Sequence, residues 1–176
     1  MTEALRSARH VAQRAFEAVL RPGDTAVDAT LGRGRDCLAL CELVGPQGVV
    51  YGFDPHPDAV RQTEALLREH GMFSRARLFQ MGHERMAEAA PPGIRLAAFN
   101  LGWLPGSDKA LTTRAETTMI ALQSALALLA PGGMASVCVY PGHAEGARER
   151  DALLAFARGL PNRAFTALWH DFLNAG

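Results

Sequence analysis

The residues that could do chemistry in this sequence lie just after its short apolar runs. The first group is a glycine turn, Gly32 and Gly34, with Asp28 and Thr30 before it and Asp36 after it. Glycines let the backbone approach a ligand closely. A helix that begins at Asp36 would present its free N–H groups to the same ligand. The pattern therefore predicts a binding site for a nucleotide-like cofactor.

Two features favour S-adenosylmethionine (AdoMet) over a dinucleotide as that cofactor. The dinucleotide fingerprint has a third glycine, where this chain has Cys37. Asp28 would attract the sulfonium-bearing amino acid of AdoMet, whereas it would repel a pyrophosphate. Asp54 follows the glycines at about the 20-residue spacing of a carboxylate that accepts ribose hydroxyls, although it could instead cap a helix. Arg33 could bind phosphate, so the dinucleotide alternative stays open.

A third motif, Gly82-His83-Glu84, follows the next apolar run, where side chains and backbone commonly meet an adenine edge. A helix-capping turn explains the same residues equally well, and His56 is expected at the edge of the cofactor. The candidate cofactor residues are Asp28, Thr30, Gly32, Gly34, Asp36, Asp54, His56, Gly82, His83, Glu84 and Asn100.

The fourth motif runs from Asn100 to Lys109 and suits an amine that accepts a methyl group. The Asn100 side-chain oxygen and the Leu101 carbonyl could hold N–H groups, while Asp108 could take a proton. The alternative is that the residues from Asn100 to Lys109 form only a structural turn.

In a fifth motif, His143 is a candidate base or a structural residue. The catalytic candidates are Asn100, Asp108 and His143, and the substrate-binding candidates are Leu101, Gly102, Trp103, Pro105, Lys109, Tyr140 and Gly142.

The elements that must position these motifs alternate between strands and helices. This alternation predicts an α/β fold with a mostly parallel, doubly wound sheet in a single domain, residues 1–176, with an N-terminal helix in 1–22 and a Rossmann-like core in 23–176. Ligands bind such sheets outside the carboxyl ends of the strands, which groups the motifs into one site. The predicted strands are Thr25–Ala29, Val49–Phe53, Arg77–Met81, Ile94–Asn100, Met134–Tyr140 and Ala164–Phe172. The predicted helices are Glu3–Leu20, Asp36–Val44, Pro57–His70, Glu84–Ala90, Thr113–Leu129 and Gly146–Leu160.

The composition indicates a globular protein of the cytoplasm. Hydrophobic residues make up 48% of the 176 residues, and 18 basic residues balance 18 acidic ones. No apolar run is long enough to span a membrane, and the three cysteines suggest neither a disulfide framework nor a metal site. A neutral chain has no overall attraction for nucleic acid, so an RNA substrate would need a local cluster of cations. The candidates for such a cluster are Arg6, Arg9, Arg14 and Lys109.

Taken together, the motifs resemble the YtqB/MnmM family, which has also carried the label rRNA methylase. The resemblance spans nearly the whole chain, with departures at Arg33, Cys37, Pro55-His56 and Trp103. The residues that carry it are Asp28-Ala29-Thr30 with Gly32 and Gly34, Gly82-His83-Glu84, Phe99 to Gly106 with Asp108-Lys109, Thr117-Thr118, and Tyr140 with Gly142-His143 and Gly146.

The resemblance implies a class I AdoMet-dependent methyltransferase that acts on the aminomethyl group of a wobble thiouridine in the tRNA anticodon loop, and a homodimer is compatible with it. Family members normally continue into a further strand, so either this chain continues beyond Gly176 or its sheet edge differs. Three alternatives remain from the residues themselves: a methyltransferase of another RNA such as rRNA, one of a small amine, and a non-catalytic nucleotide-binding partner subunit.

Overall fold

The computed structural model describes residues 7–102 and 113–172 of the chain, in which strands and helices alternate. The strands are β1 (Thr25–Asp28), β2 (Val49–Phe53), β3 (Ala76–Phe79), β4 (Ile94–Asn100) and β5 (Leu129–Cys138). The α-helices are α1 (Ala8–Val19), α2 (Arg35–Val44), α3 (Pro57–Glu69), α4 (Ala115–Leu128) and α5 (Ala144–Gly159). Two 3₁₀ helices, Phe73–Arg75 and His83–Glu88, precede β3 and β4 respectively.

The strands form one parallel sheet in the order β3-β2-β1-β4-β5. The chain builds outward from β1 to β3 and then crosses back to place β4 on the other side of β1. The strand order therefore reverses between β1 and β4, and in such sheets a ligand crevice opens beyond the carboxyl ends of the strands at this point. The predicted doubly wound α/β class is confirmed, and every strand pair among the described residues is parallel.

Helices cover both faces of the sheet because neighbouring residues of each strand point to opposite sides. Leu96 and Ala98 of β4 belong to a core with α1, α2 and α3. Ala97 and Phe99 belong to a second core with α4, α5 and the 3₁₀ helix His83–Glu88. None of the described helices is long and apolar enough to cross a bilayer.

Local sequence accounts for the first helix. The Ser7 side chain caps it by accepting a hydrogen bond from the backbone N–H of His10, at 3.4 Å. Its apolar spacing buries Ala12 and Phe16 against the sheet. At its C-terminal end, Leu20 is already extended, and the chain turns towards β1.

The structure corrects the type of the third predicted helix and the start of the fifth predicted strand, and the first helix begins at Ala8 rather than at Glu3. The third predicted helix, Glu84–Ala90, is the short 3₁₀ helix His83–Glu88. Pro91 disfavours helical geometry at Ala90, the residue before it. The fifth strand begins at Leu129 rather than at Met134, since Leu129 already pairs with Ile94. This strand contains Pro131, which a sheet tolerates at an edge strand, where one side of the backbone has no partner.

The sixth predicted strand, Ala164–Phe172, is wrong. No strand assignment covers 164–172, and Leu168 and Trp169 are 78% and 44% exposed. An apolar pattern makes a strand only where a neighbouring strand supplies hydrogen-bond partners, and none of the described strands pairs with this segment.

Candidate cofactor and substrate site

A cavity of about 870 Å³ opens beyond the carboxyl ends of β1, β2 and β4. This volume lies within the range of about 300–1,000 Å³ that is typical of small-molecule sites. The structure brings together most of the residues that the sequence predicted for the site. Those that line the cavity are Thr30, Gly32, Asp36, Asp54, His56, Gly82, His83, Glu84, Asn100, Leu101, Gly102 and Tyr140.

Four predicted residues lie near this cavity without lining it, namely Asp28, Gly34, Gly142 and His143. Gly34 packs against α3, where an added Cβ would come within 2.9 Å of the Thr63 Cα. The His143 ring caps α5, because its Nδ1 accepts a hydrogen bond from the Gly146 N–H at 3.1 Å. The remaining predicted residues lie outside the described part of the chain: Trp103, Pro105, Asp108 and Lys109.

Asp54 joins the glycine turn to the end of β2. One carboxylate oxygen accepts a hydrogen bond from the Gly32 N–H at 3.0 Å, and the other accepts from the His56 N–H at 2.9 Å. Gly32 has a φ of 52°, a left-handed conformation that favours glycine. The carboxylate is 8% exposed and lines the cavity. Its oxygens have lone pairs left for two neighbouring hydroxyls of a ligand.

Aromatic rings form or support part of the cavity lining, at the ends of β2 and β4 and in the 3₁₀ helix His83–Glu88. The His83 ring lies 6.0 Å from the Phe99 ring, centroid to centroid, and is 6% exposed. Burial lowers the pKa of His83, with a smaller opposing effect from Glu84, so this imidazole is favoured in its neutral form. Phe53 also lines the cavity and stacks on Phe79 at 5.2 Å. A flat, uncharged ring system would fit against this part of the lining.

Asn100 forms the wall on the β4 side of the cavity. Its backbone N–H donates to the Thr30 hydroxyl at 2.7 Å, which fixes the end of the strand. Its side-chain NH₂ donates to Asp36 at 3.3 Å. The side-chain oxygen is buried, and nothing in residues 7–102 or 113–172 donates a hydrogen bond to it. A buried carbonyl oxygen without a donor is unfavourable unless a ligand supplies one.

The ion pair of Arg9 is a feature of the site that the sequence did not reveal. Arg9 was a candidate for phosphate binding, but its guanidinium forms an ion pair with Asp36, with Nε and Oδ1 2.7 Å apart. Arg14, another candidate, pairs with Glu17 on its own helix, and Arg6 lies outside the described residues. Nothing in the spacing of Arg9 and Asp36, which are 27 residues apart, could have predicted their contact.

A second network, whose partners the sequence did not predict, involves Glu149 of α5. Glu149 is buried and accepts hydrogen bonds from the hydroxyls of Thr118 at 2.7 Å and Thr113 at 2.9 Å. The Thr113 hydroxyl also accepts from the Gly102 N–H at 2.9 Å. Burial raises the pKa of Glu149, while the two hydroxyls act in the opposite direction. The network holds Gly102 beside Thr113, and both residues line the cavity.

Asp28 is the last residue of β1 and is 1% exposed. One of its oxygens accepts a hydrogen bond from the Thr30 N–H at 3.1 Å. Burial, followed by the nearby Asp36 charge, raises the pKa of this carboxyl from 3.8 to about 8. The folded protein therefore keeps a proton on Asp28 at pH values where the unfolded chain has released it.

This pKa predicts how the stability of the protein depends on pH. Between pH 3.8 and about 8, the folded state binds more protons than the unfolded state at this position, so the Asp28 contribution to stability falls as the pH rises. The asparagine side chain in Asp28→Asn cannot ionise, so the variant lacks this pH-dependent contribution to stability. The melting temperature of the variant, relative to the wild type, should therefore increase with pH across that window in calorimetric scans.

Asp58→Asn provides the control, because it makes the same carboxyl-to-amide substitution at an exposed position of α3. Its melting temperature relative to the wild type should stay nearly constant over the same window. If the melting-temperature difference between Asp28→Asn and the wild type were also constant with pH, Asp28 would have an ordinary pKa in the folded protein.

The features of the cavity fit AdoMet. Asp54 offers a carboxylate for a ribose, the glycine turn allows close approach of the backbone, and the His83 side of the cavity suits an uncharged ring. The fold, together with a cavity at this position, defines the class I methyltransferase architecture.

Comparisons with known proteins identify the family within that architecture. The family described as "Putative rRNA methylase" matches residues 50–176, and the chain belongs to this family. The curated tRNA (mnm(5)s(2)U34)-methyltransferase, chloroplastic, of Arabidopsis thaliana is 40% identical over 167 residues, which cover 89% of this chain. The matched region spans about three-fifths of that relative's length, 61%.

Solved structures agree with the fold over almost the entire chain. A "putative rRNA-methylase" from Clostridium thermocellum superposes with a TM-score of 0.93 at 34% identity, covering 100% of this chain and 92% of that one. A "putative methyltransferase" from Streptococcus mutans in complex with SAH has a TM-score of 0.88 at 30% identity, covering 99% and 93%.

Proposed function

We propose that the protein is an AdoMet-dependent N-methyltransferase that acts on the aminomethyl group of the wobble aminomethyl-thiouridine in tRNA. The observation that carries the proposal is the Asn100 side-chain oxygen, which is buried at the cavity wall and receives no hydrogen bond from residues 7–102 or 113–172. An amine N–H would supply the missing donor. The named activity of the Arabidopsis relative supports this choice of substrate.

The residues around the glycine turn would hold the cofactor. Asp54 accepts the ribose hydroxyls, and its present bonds to the Gly32 and His56 N–H groups keep it in place. Neutral His83 and Phe53 line the part of the cavity that suits the adenine. AdoMet supplies a methyl group bound to a positively charged sulfur.

Asn100 would orient the acceptor amine. Its oxygen accepts one N–H of the amine, which leaves the nitrogen lone pair free to attack the methyl carbon. As the new C–N bond forms, the carbon–sulfur bond breaks and its electron pair stays on sulfur. The nitrogen also loses a proton, and Asp108 is the proposed acceptor. His143 is less suited to this role, because its Nδ1 caps α5 and the residue does not line the cavity.

The substrate is a macromolecule, so cations at the mouth of the cavity would contact phosphates. Arg35 and Arg114 are exposed and line the cavity, whereas the predicted candidates Arg9 and Arg14 are in ion pairs with carboxylates of the chain.

We also propose a cytoplasmic location, because Cys37, Cys41 and Cys138 are free thiols, as is usual in a reducing compartment. A homodimer stays a prediction, which sedimentation of the purified protein would test.

The direct test combines the purified protein, AdoMet and tRNA that carries the unmethylated aminomethyl base. Digestion and mass spectrometry should show that nucleoside one methyl heavier, and an otherwise identical tRNA without the aminomethyl group should stay unchanged. Methylation of a ribosomal RNA or a free small amine instead would refute the tRNA assignment and keep the methyltransferase one. No transfer to any of these acceptors would favour a non-catalytic nucleotide-binding subunit.

Asp54 gives a test of the cofactor assignment. Asp54→Ala should weaken AdoMet binding by about 1.5–3 kcal/mol, the scale of a hydrogen bond to a charged group. Titration calorimetry with AdoMet and with its demethylated product would measure the change, and NAD should not bind. Asp58→Ala, four residues further on at an exposed position, should leave the affinity unchanged. If Asp54→Ala bound AdoMet as tightly as the wild type, Asp54 would not be the residue that accepts the ribose hydroxyls.

A further inference from the structure

We propose that Asp36, held in place by Arg9, is a positioning residue that fixes which end of the Asn100 amide faces the acceptor amine. The inference rests on the proposed function, because it assigns a partner to the amide that orients the amine. The three side chains form a continuous chain, in which Arg9 Nε lies 2.7 Å from Asp36 and Asp36 lies 3.3 Å from Asn100 Nδ2.

The chemistry of the two ends of an amide explains the need for such a partner. The Asn100 side chain offers an acceptor oxygen at one end and an NH₂ donor at the other, and a half-turn about its last bond exchanges them. An N–H of the substrate needs the oxygen, whereas an NH₂ group turned towards it would repel it. The orientation of this amide therefore decides whether the site accepts an amine.

Asp36 selects the orientation because a carboxylate can only accept hydrogen bonds. Its Oδ2 draws the NH₂ end of Asn100 towards α2, which leaves the oxygen as the end without a partner. The Asn100 backbone is fixed separately by the Thr30 hydroxyl. Within residues 7–102 and 113–172, the side-chain orientation is thus set by the contact to Asp36.

Arg9 keeps the Asp36 carboxylate in position through their ion pair. The pair is partly buried, with the Arg9 and Asp36 side chains 30% and 13% exposed, so it is less screened by solvent than an exposed pair. Arg9 also links the first helix of the chain to the substrate side of the cavity. This gives α1 a role in the site although α1 precedes the strands that form it.

The kinetic test compares Asp36→Asn, Arg9→Met and Arg9→Lys with the wild type, using AdoMet and aminomethyl tRNA. Asp36→Asn should lower kcat by about tenfold or more, as expected when a nucleophile loses its orientation, and should change AdoMet affinity less than about threefold. Arg9→Met should lower kcat in the same direction by a smaller factor, and Arg9→Lys, which keeps the charge, should restore part of it. The exposed pair Asp58 and Arg61 on α3 provides matched controls, and Asp58→Asn and Arg61→Met should leave kcat unchanged.

A double-variant cycle separates positioning from a general structural effect. If Asp36 acts through Asn100, adding Asp36→Asn to Asn100→Ala should lower kcat no further than Asn100→Ala alone. If the two substitutions lowered kcat independently, so that the fold-losses multiplied in the double variant, the inference would be overturned. An equal loss of kcat and of AdoMet affinity in Asp36→Asn would also overturn it, because Asp36 would then be a cofactor residue.

A measurement without substrate keeps the inference testable if the proposed function fails. The Asn100 side-chain NH₂ signal in a ¹⁵N NMR spectrum, assigned by its loss in Asn100→Ala, should shift in Asp36→Asn and Arg9→Met and stay in place in Asp58→Asn. An unmoved signal in Asp36→Asn would refute the contact itself. A shifted signal in a protein that methylates no amine would leave the contact standing and refute only the function assigned to it.

Discussion

Replacing Asn100 by alanine should lower the rate of methyl transfer by about one to two orders of magnitude while leaving AdoMet affinity nearly unchanged, as expected when only the nucleophile loses its orientation. The reason lies in the direction of its contacts. The Asn100 backbone, which alanine retains, carries the bond to Thr30. Only the amide is lost, and its oxygen has no hydrogen-bond donor in residues 7–102 or 113–172.

Single-turnover kinetics and calorimetry on the same preparation would measure the two quantities. The melting temperature should change little, because the substitution removes a buried acceptor that the fold does not satisfy. A fall in AdoMet affinity in proportion to the rate would show that Asn100 binds the cofactor or maintains the fold. Asn162→Ala, which removes an exposed amide after α5, should alter neither quantity.

The site residues that could be predicted from the sequence are those that lie at the ends of strands. Asp54, Gly82 and Asn100 each follow a short apolar run directly, and parallel strands bring their carboxyl ends to the same edge of the sheet. The positions of these residues could therefore be inferred without knowing any contact between side chains. The doubly wound fold was predictable for the same reason, because it follows from the alternation of strands and helices.

Contacts between distant side chains could not be predicted in this way. Arg9 meets Asp36 across 27 positions and Glu149 meets Thr118 across 31, and no periodicity encodes such distances. The sequence suggested phosphate as the partner of Arg9 and assigned no partner to Glu149. Only the packing of α1 on α2 and of α4 on α5 reveals the actual partners. The wrong strand at 164–172 has a related cause, since a strand depends on a neighbour that the local pattern does not contain.

The Arg9–Asp36 pair and the Glu149 network hold the same stretch of chain, at the end of β4, from different sides. Arg9 and Asp36 fix the side chain that ends β4, and Glu149 fixes the backbone just after it. Asn100 and Gly102 are two residues apart, so the proposed acceptor amide and the proposed substrate loop share one anchored segment. The stability of that segment is therefore expected to matter for both the fold and the reaction.

Glu149→Ala should have the largest effect on stability, lowering the free energy of unfolding by about 2–4 kcal/mol. Two hydrogen bonds to a charged acceptor contribute about 1.5–3 kcal/mol each, but the cost of burying the carboxylate, visible in its raised pKa, offsets part of that gain. Removing the side chain also leaves the Thr118 hydroxyl, which is 1% exposed, without its acceptor. Urea unfolding followed by circular dichroism would measure the loss.

Two further variants sharpen this test. Glu149→Gln keeps the volume and can still bond one hydroxyl, so its stability should lie between those of the wild type and Glu149→Ala. Glu116→Ala, which removes an exposed glutamate from α4, should change the unfolding free energy by less than about 0.5 kcal/mol, as is usual for surface positions. A Glu149→Ala protein as stable as Glu116→Ala would show that the two hydroxyls find water instead. If the stability loss is found, kcat at a temperature well below melting should also fall, because Thr113 would no longer be held as the acceptor of the Gly102 N–H.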